Sequence, residues 1–290
     1  MDFSTRRQLI LQAAAQAQIV RSRCKIQQGA AIDPIGIAEV CGCEVWFMAL
    51  SSLEGIYSPT PRPVIVLGSE RPAGRRSYTC SHEIGHHEFK HGARLDDCVN
   101  KSISANDDPD EILADMFAAF LLMPKTSIQK ALKIRNIKTQ RIEPLQIFRM
   151  ASYLNVGYGS LINHMTWTLD MLNKQQCKIL LKTQPKEIKS IFGGSPQGEV
   201  ILVDELWNEC PVDLEVGDIL VLQKDAIVEQ TPRLSFNGTV DGQNTYKAVT
   251  KGYARAFNNE GDWGINIRIA SKHYHGLARF RFYEDLEEVL

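Results

Sequence analysis

The sequence has no apolar run of the length needed to cross a bilayer, no excess of either charge and no paired-cysteine spacing. Each absence closes a class of function. Without about 20 consecutive apolar residues there is no membrane-spanning helix to expect. A formal charge of −1 supplies no global drive toward nucleic acid or an anionic membrane surface. Seven cysteines, an odd number at irregular spacings, fit reduced thiols rather than a disulfide framework. Cys41-Gly42-Cys43 faces no second pair and makes a poor zinc ribbon. The opening residues run from Met1-Asp2-Phe3-Ser4 into Arg6-Arg7 without the apolar core of a secretory signal, so the expected location is the cytoplasm. Internal repeats and low-complexity tracts are also missing.

What is present is an ordinary globular composition, 44% hydrophobic and 23% charged, on 290 residues. That length suits one large domain or two. Ser4 can cap a helix over about residues 5–23, whose Leu9, Ile10, Ala13, Ala14, Ala17 and Val20 share an apolar face. Asp33-Pro34 opens a short helix through Val40, and Gly42 precedes a strand over 44–49. Residues 63–68 read as a second strand, an exposed edge able to align an extended peptide. Helices are expected from Ser77 to about His91 and from Asp108-Pro109 to Met123, where Pro124 stops the second, with a polar loop between them. Residues 143–167 have the rhythm of a helix, a tight turn and a further helix. Pro, Lys, Gly and Ser gather over 183–198, which reads as a linker, and short β-branched runs beyond it predict a small all-β domain. The expected division is therefore 1–182, 183–198 and 199–290, an α+β fold with a helical first domain.

Chemistry concentrates in His82-Glu83-Ile84-Gly85-His86, an HExxH motif. At 100° per residue the two histidines stand 40° apart and one turn along a helix, so both imidazoles can reach one ion, with Glu83 close enough to hold its water. A catalytic zinc needs a third protein donor. Glu111 and Asp115 lie four residues apart on the next helix, which is otherwise apolar and lacks an internal Lys or Arg. Glu111 taken alone fits equally well a capping box with Asp108; its partnership with HExxH favours the ligand reading. His91 falls on the face opposite His82 of a continuous helix, as a helix-end or loop-packing group, and His87 lies about 140° from His82, toward solvent or behind the ligands. Gly92 stands where a metzincin histidine would be, while Asp96 and Asp97 are weaker donors than Glu111.

The segments SHEIGHHEFKHG (81–92) and EILADMFAAFLLMP (111–124), with the lead-in over 32–57, resemble the ImmA/IrrE family of zinc metallopeptidases. The likeness covers roughly residues 30–165. It implies a zincin-like fold, a Zn2+ cofactor held by His82, His86 and Glu111, and Glu83 as general base. Asp115 falls on the family's Asn/Asp position, as a hydrogen-bond partner of a ligand. The chain departs at Leu113, often a second glutamate in the family, and at Ser81, usually alanine. The resemblance further implies a zinc-dependent endopeptidase whose protein substrate is a transcriptional repressor or antitoxin-like DNA-binding regulator, in stress response or mobile-element control. The competing class is a non-catalytic regulator with a structural zinc site that binds a partner protein, or binds DNA through 143–167. Arg149 is the only Lys or Arg within 143–170, which disfavours nucleic acid as a direct ligand. Cys80 reads as a buried structural thiol, and His273 and His275 alternate along a possible strand.

Overall fold

The computed structural model describes residues 2–97 and 108–283. The polar loop expected between the two site helices lies outside the described residues over 98–107, as do the side chains of Asp96 and Asp97. The fold is mixed α+β. Helix α1 (Phe3–Arg23) is capped by Asp2, not Ser4, because the Asp2 carboxylate accepts the Thr5 N–H at 2.8 Å. Its buried residues are Ala13, Ala17 and Val20, together with one charged group, Arg21. The Arg21 guanidinium donates to the Leu121 and Ala30 carbonyls at 2.7 and 2.6 Å. A buried charge is tolerable on those terms, since carbonyls that would otherwise lose water are satisfied by it.

After α2 (Pro34–Val40) come strands β1 (Glu44–Met48), β2 (Leu53–Ser58) and β3 (Val64–Gly68). Strand β4 (Arg94–Asp97) pairs with β2, and β3 runs between β1 and β2. The edge assigned to residues 63–68 is thus corrected: β3 is interior, with Ile65 and Leu67 buried on one face. Strand β2 carries Glu54 and Gly55 in its centre and gives no alternating apolar signal, so its covering of β3 is not visible in the sequence. Among the described residues β4 is the edge on that side.

Helix α3 (Ala73–Phe89) starts a turn before Ser77 and crosses α4 (Pro109–Leu122), which also packs along α1. Pro124 ends that run and begins α5 (Lys125–Ile134). Helices α6 (Pro144–Leu154) and α7 (Tyr158–Asn163) follow, joined through Asn155 in the left-handed region, and α7 continues as a π-helical turn over His164–Thr168. Arg149 on α6 donates to Gln243 at 3.2 Å and so turns toward the C-terminal sheets. Helix α8 (Lys174–Leu180) leads to α9 (Pro185–Ile191), a helix inside the stretch read as a linker, where Ile188 and Phe192 are buried. None of the helices among the described residues is long and apolar enough to cross a membrane.

Residues beyond 199 form β5 (Val200–Leu202), β6 (Pro211–Glu215), β7 (Ile219–Leu222), β8 (Ala226–Val228), β9 (Leu234–Val240), β10 (Gln243–Ala248), β11 (Gly252–Asn258) and β12 (Gly264–Ala270). They make two sheets in the orders β5-β7-β10-β9 and β6-β12-β11-β8. A last short strand, β13 (Gly276–Leu277), leaves them and pairs antiparallel with β1. His273 lies in a turn at φ +53°, so it and His275 do not alternate along a strand.

Two positions in this framework carry testable consequences. Gly85 is where α3 lies against α4: a Cβ there would sit 3.0 Å from Ala114 Cα and 3.2 Å from Phe117 Cδ1. A helix-interior glycine costs about 1 kcal/mol relative to alanine, so packing explains its presence. Gly85→Val is expected to force the helices apart at a cost of about 1–3 kcal/mol, and Gly85→Ala to cost less, read as lowered melting temperatures. In the C-terminal part the Asp218 carboxylate accepts the N–H groups of Glu199 and Glu215, each at 2.8 Å. Burial outweighs those bonds and pushes its carboxyl up to about 6. The folded state therefore holds this proton more tightly than the unfolded chain, and stability present below about pH 4 is lost as pH rises through about 6. Asp218→Asn is expected to flatten the stability curve across that window by on the order of 2–3 kcal/mol, measured by urea unfolding at stepped pH. An unchanged slope would remove Asp218 as its source.

Candidate metal centre

Helix α3 presents His82 and His86 on one face, both nearly inaccessible, with ring centroids 4.6 Å apart. Helix α4 brings Glu111 across from them. Asp108 caps α4 through the Asp110 N–H at 2.9 Å, which leaves the Glu111 side chain to point elsewhere. Its two carboxylate oxygens lie 3.3 Å from His82 Nε2 and 3.5 Å from His86 Nε2, and the two Nε2 atoms are 2.9 Å apart. One donor atom from each of the three residues falls within 4.8 Å of the others, the one such cluster among the described residues. Asp115, one turn beyond Glu111, holds His82 Nδ1 at 3.0 Å through Oδ1.

The sequence puts both carboxylates on an otherwise apolar helix, and the structure separates them from its buried side. Leu113, Ala114, Phe117, Ala118, Leu121 and Leu122 take the buried side, while the Glu111 and Asp115 side chains are 30% and 40% exposed. They line a cleft of about 1460 Å³ together with both histidines, Arg75 and Tyr78. The cleft continues past Asn155, Asn163, His164 and Trp167 to Lys189 and Glu199.

Glu83 is fully buried and is not among the residues that line the cleft. Its carboxylate lies against β2, where a Cβ on Gly55 would come within 2.8 Å of Glu83 Oε1 and 2.5 Å of Thr79 Cγ2. Only a glycine lets the strand lie that close. His87 turns away from the cluster to meet the Tyr57 hydroxyl, at 2.9 Å from its Nδ1. Cys80 is buried with its thiol directed at the Pro34 carbonyl, 3.6 Å away, and burial holds its proton on.

Sequence periodicity misplaces His91. A continuous helix would put it opposite His82, but α3 ends at Phe89 and Lys90 takes the left-handed conformation, φ +60°. The reversal brings His91 Nδ1 to 2.9 Å from His86 Nδ1. Its Nε2 lies 3.4 Å from Asp110, which is itself paired with Arg94. The available signal was Lys90 directly before a second histidine and Gly92, a sequence suited to a helix end.

The electrostatics describe a cluster that holds one proton, on His82. Burial works against a charge on His82, yet its bonds to Asp115 and Glu111 prevail and hold its proton well above the usual range. Burial and the neighbouring His82 charge push His86 down, so it is neutral. The bond from His82 holds Glu111 ionised. Two imidazole nitrogens and one carboxylate, with an open side on the cleft, are the donor set of a three-protein-ligand zinc site, and the residues fit that ion.

Residues 39–166 match the family Peptidase_M78, the IrrE N-terminal-like domain. The match makes this part of the chain a metallopeptidase-type domain. It supports an ImmA/IrrE-type family for residues 39–166. No curated protein matches the sequence. Among solved structures, the crystal structure of the cysteine protease inhibitor EhICP2 from Entamoeba histolytica aligns at 10% identity with a TM-score of 0.21, over 26% of this chain and 99% of that one.

A divalent ion at this cluster must displace the proton on His82. Zinc uptake by the metal-free chain at pH 7 is expected to release about one proton per ion, and affinity to rise with pH while His82 remains protonated. Titration calorimetry in buffers of different ionisation enthalpy measures this; uptake without proton release would refute the assignment of His82.

Proposed function

We propose that this chain is a zinc-dependent endopeptidase of zincin type acting on an intracellular protein, a transcriptional repressor or antitoxin-like DNA-binding regulator. The observation that carries the reading is the convergence of His82 Nε2, His86 Nε2 and the Glu111 carboxylate within 4.8 Å, in a segment that matches a peptidase family. The cleft supports a polypeptide substrate, because about 1460 Å³ exceeds the room a single amino acid needs. Its floor runs from the cluster to Trp167, an indole 62% exposed, which offers an apolar surface to a bound chain. Arg149, drawn to Gln243, supports a protein rather than a nucleic-acid ligand for the α6–α7 unit.

The chemistry a bound zinc supplies is Lewis-acid activation of water and of a peptide carbonyl. His82, His86 and Glu111 would hold that ion, and Asp115 would keep the His82 proton on Nδ1 so that Nε2 is free to donate its lone pair. Glu83 takes a proton from the attacking water and returns it to the leaving amine. To do so its carboxylate swings out from the β2 wall toward the cleft, in keeping with catalytic hydrogen bonds that tighten only when substrate is bound.

The test uses zinc-loaded protein and purified DNA-binding regulators of the same cell as candidate substrates. Wild type is expected to yield two fragments. Glu83→Gln, with unchanged zinc content, should be slower by about 10²–10⁴-fold, and Glu111→Gln should lose the metal. If Glu83→Gln cuts at the wild-type rate, the peptidase mechanism is wrong.

A further inference from the structure

His82 and His86 are supported differently from behind. For His82 the partner of Nδ1 is a carboxylate, Asp115. For His86 it is a second imidazole: His91 Nδ1 stands 2.9 Å away, the ring centroids 5.1 Å apart at 68°. Two Nδ1 atoms at that distance share one hydrogen, so one ring donates and the other accepts.

The direction of that bond follows from what lies on either side. His86 points Nε2 at His82 and Glu111, within the ligand cluster. An Nε2 that donates its lone pair carries no hydrogen, so the neutral ring bears it on Nδ1 and donates to His91. His91, accepting at Nδ1, bears its own hydrogen on Nε2, which faces the Asp110 carboxylate at 3.4 Å. Asp110 is ion-paired with Arg94. The chain His86, His91, Asp110, Arg94 has one consistent set of hydrogens, and in it Nε2 of His86 is the free donor. Packing fixes the His91 ring: its side chain is 7% exposed and stacks on Phe89 at 5.6 Å and 16°, while Phe89 meets Phe117 edge-on.

We infer that His91 is a positioning residue for the metal: it sets the tautomer and orientation of His86, with Asp110 and Arg94 holding His91 in turn. This rests on the reading that His82, His86 and Glu111 bind zinc. Helix α4 then supplies one ligand, Glu111, and the carboxylates behind both ligand histidines, Asp115 and Asp110. Outer partners of metal-ligating histidines typically contribute 10–100-fold in affinity.

The experiment compares wild type, His91→Phe, His91→Gln and Asp110→Asn by competition with a chromophoric zinc chelator, alongside 15N spectra of the imidazoles in the zinc-loaded chain. His91→Phe keeps a flat ring and removes the acceptor. It is expected to weaken zinc by about 10–100-fold and to lose the slowly exchanging His86 Nδ1 hydrogen seen in wild type. His91→Gln, whose side-chain carbonyl can accept, should recover part of both, and Asp110→Asn should show a smaller loss in the same direction. Should His91→Phe fail to fold when metal-free, judged by circular dichroism, the Gln and Asn variants carry the same test. Zinc binding at wild-type strength and an unchanged His86 resonance in the folded variants would overturn the role of His91 alone. A wild-type chain that takes up no zinc would overturn the metal reading beneath it.

Discussion

Everything at the candidate centre depends on how closely α3 and α4 approach. Glu111 is a short reach from the His82 and His86 rings only because Gly85, on the same stretch of helix, lets Ala114 come within contact of the α3 backbone. The ligands and the crossing point are interleaved: His82 and His86 flank Gly85, and Glu111 and Asp115 flank Ala114. Any side chain added at the crossing acts on the distance between the donors, so packing and coordination are one constraint. The helix propensity lost at Gly85 is small beside the cost of separating two buried helices. Helix α4 is pressed into this position from behind by α1, whose Arg21 also closes the carbonyl of Leu121.

A concentration of carboxylates on α4 would ordinarily repel itself. Asp110, Glu111 and Asp115 lie within two turns and Asp108 caps the same helix. Three of these negative groups have a distinct cationic or N–H partner: Arg94 and His91 for Asp110, His82 Nε2 for Glu111, His82 Nδ1 for Asp115. Placing Asp108, Asp110 and Glu111 in the first turns also sets them at the positive end of the helix, where negative charge is favoured. The acidic stripe is therefore stable as a wall of the cleft.

How much of this was legible follows from range. The histidine pair could be read from the sequence because it depends on spacing within one helix, and helical period carries that information. The choice between cap and ligand for Glu111 could not be made from spacing; the structure shows Asp108 capping through Asp110, with Glu111 turned to the histidines. His91 was misplaced because periodicity assumes that a helix continues, and the left-handed Lys90 ends it. Strand order lies further out of reach. Residues 63–68 give the same apolar run whether at an edge or in the interior, and β2, which covers them, has no strand signal around Glu54-Gly55. The stretch 183–198 has the composition of a linker, yet Ile188 and Phe192 find a hydrophobic surface that composition does not reveal.

The C-terminal sheets hold the metallopeptidase-type domain at several separate points, and this bears on how they can act. Strand β13 extends the first sheet by pairing with β1, Arg135 just past the end of α5 makes a buried bidentate pair with Asp204, and Arg268 reaches Asp33 at the start of α2. The most direct link is Arg76, on the N-terminal half of α3, which pairs with Glu215 on β6 while its guanidinium lies over the Phe47 ring. Asp218 accepts the Glu215 N–H from the same turn. A module joined by backbone pairing and a buried ion pair does not swing as a tethered partner would; breaking such a pair leaves an uncompensated charge and costs several kcal/mol, on the order of 3–5. Among these contacts Arg76 joins β6 directly to α3, the helix that carries His82 and His86. The cleft has the matching geometry, since its walls include Glu199 and Val200 at the start of the first C-terminal strand as well as the ligand cluster. A ligand lying in it touches both parts of the chain at once.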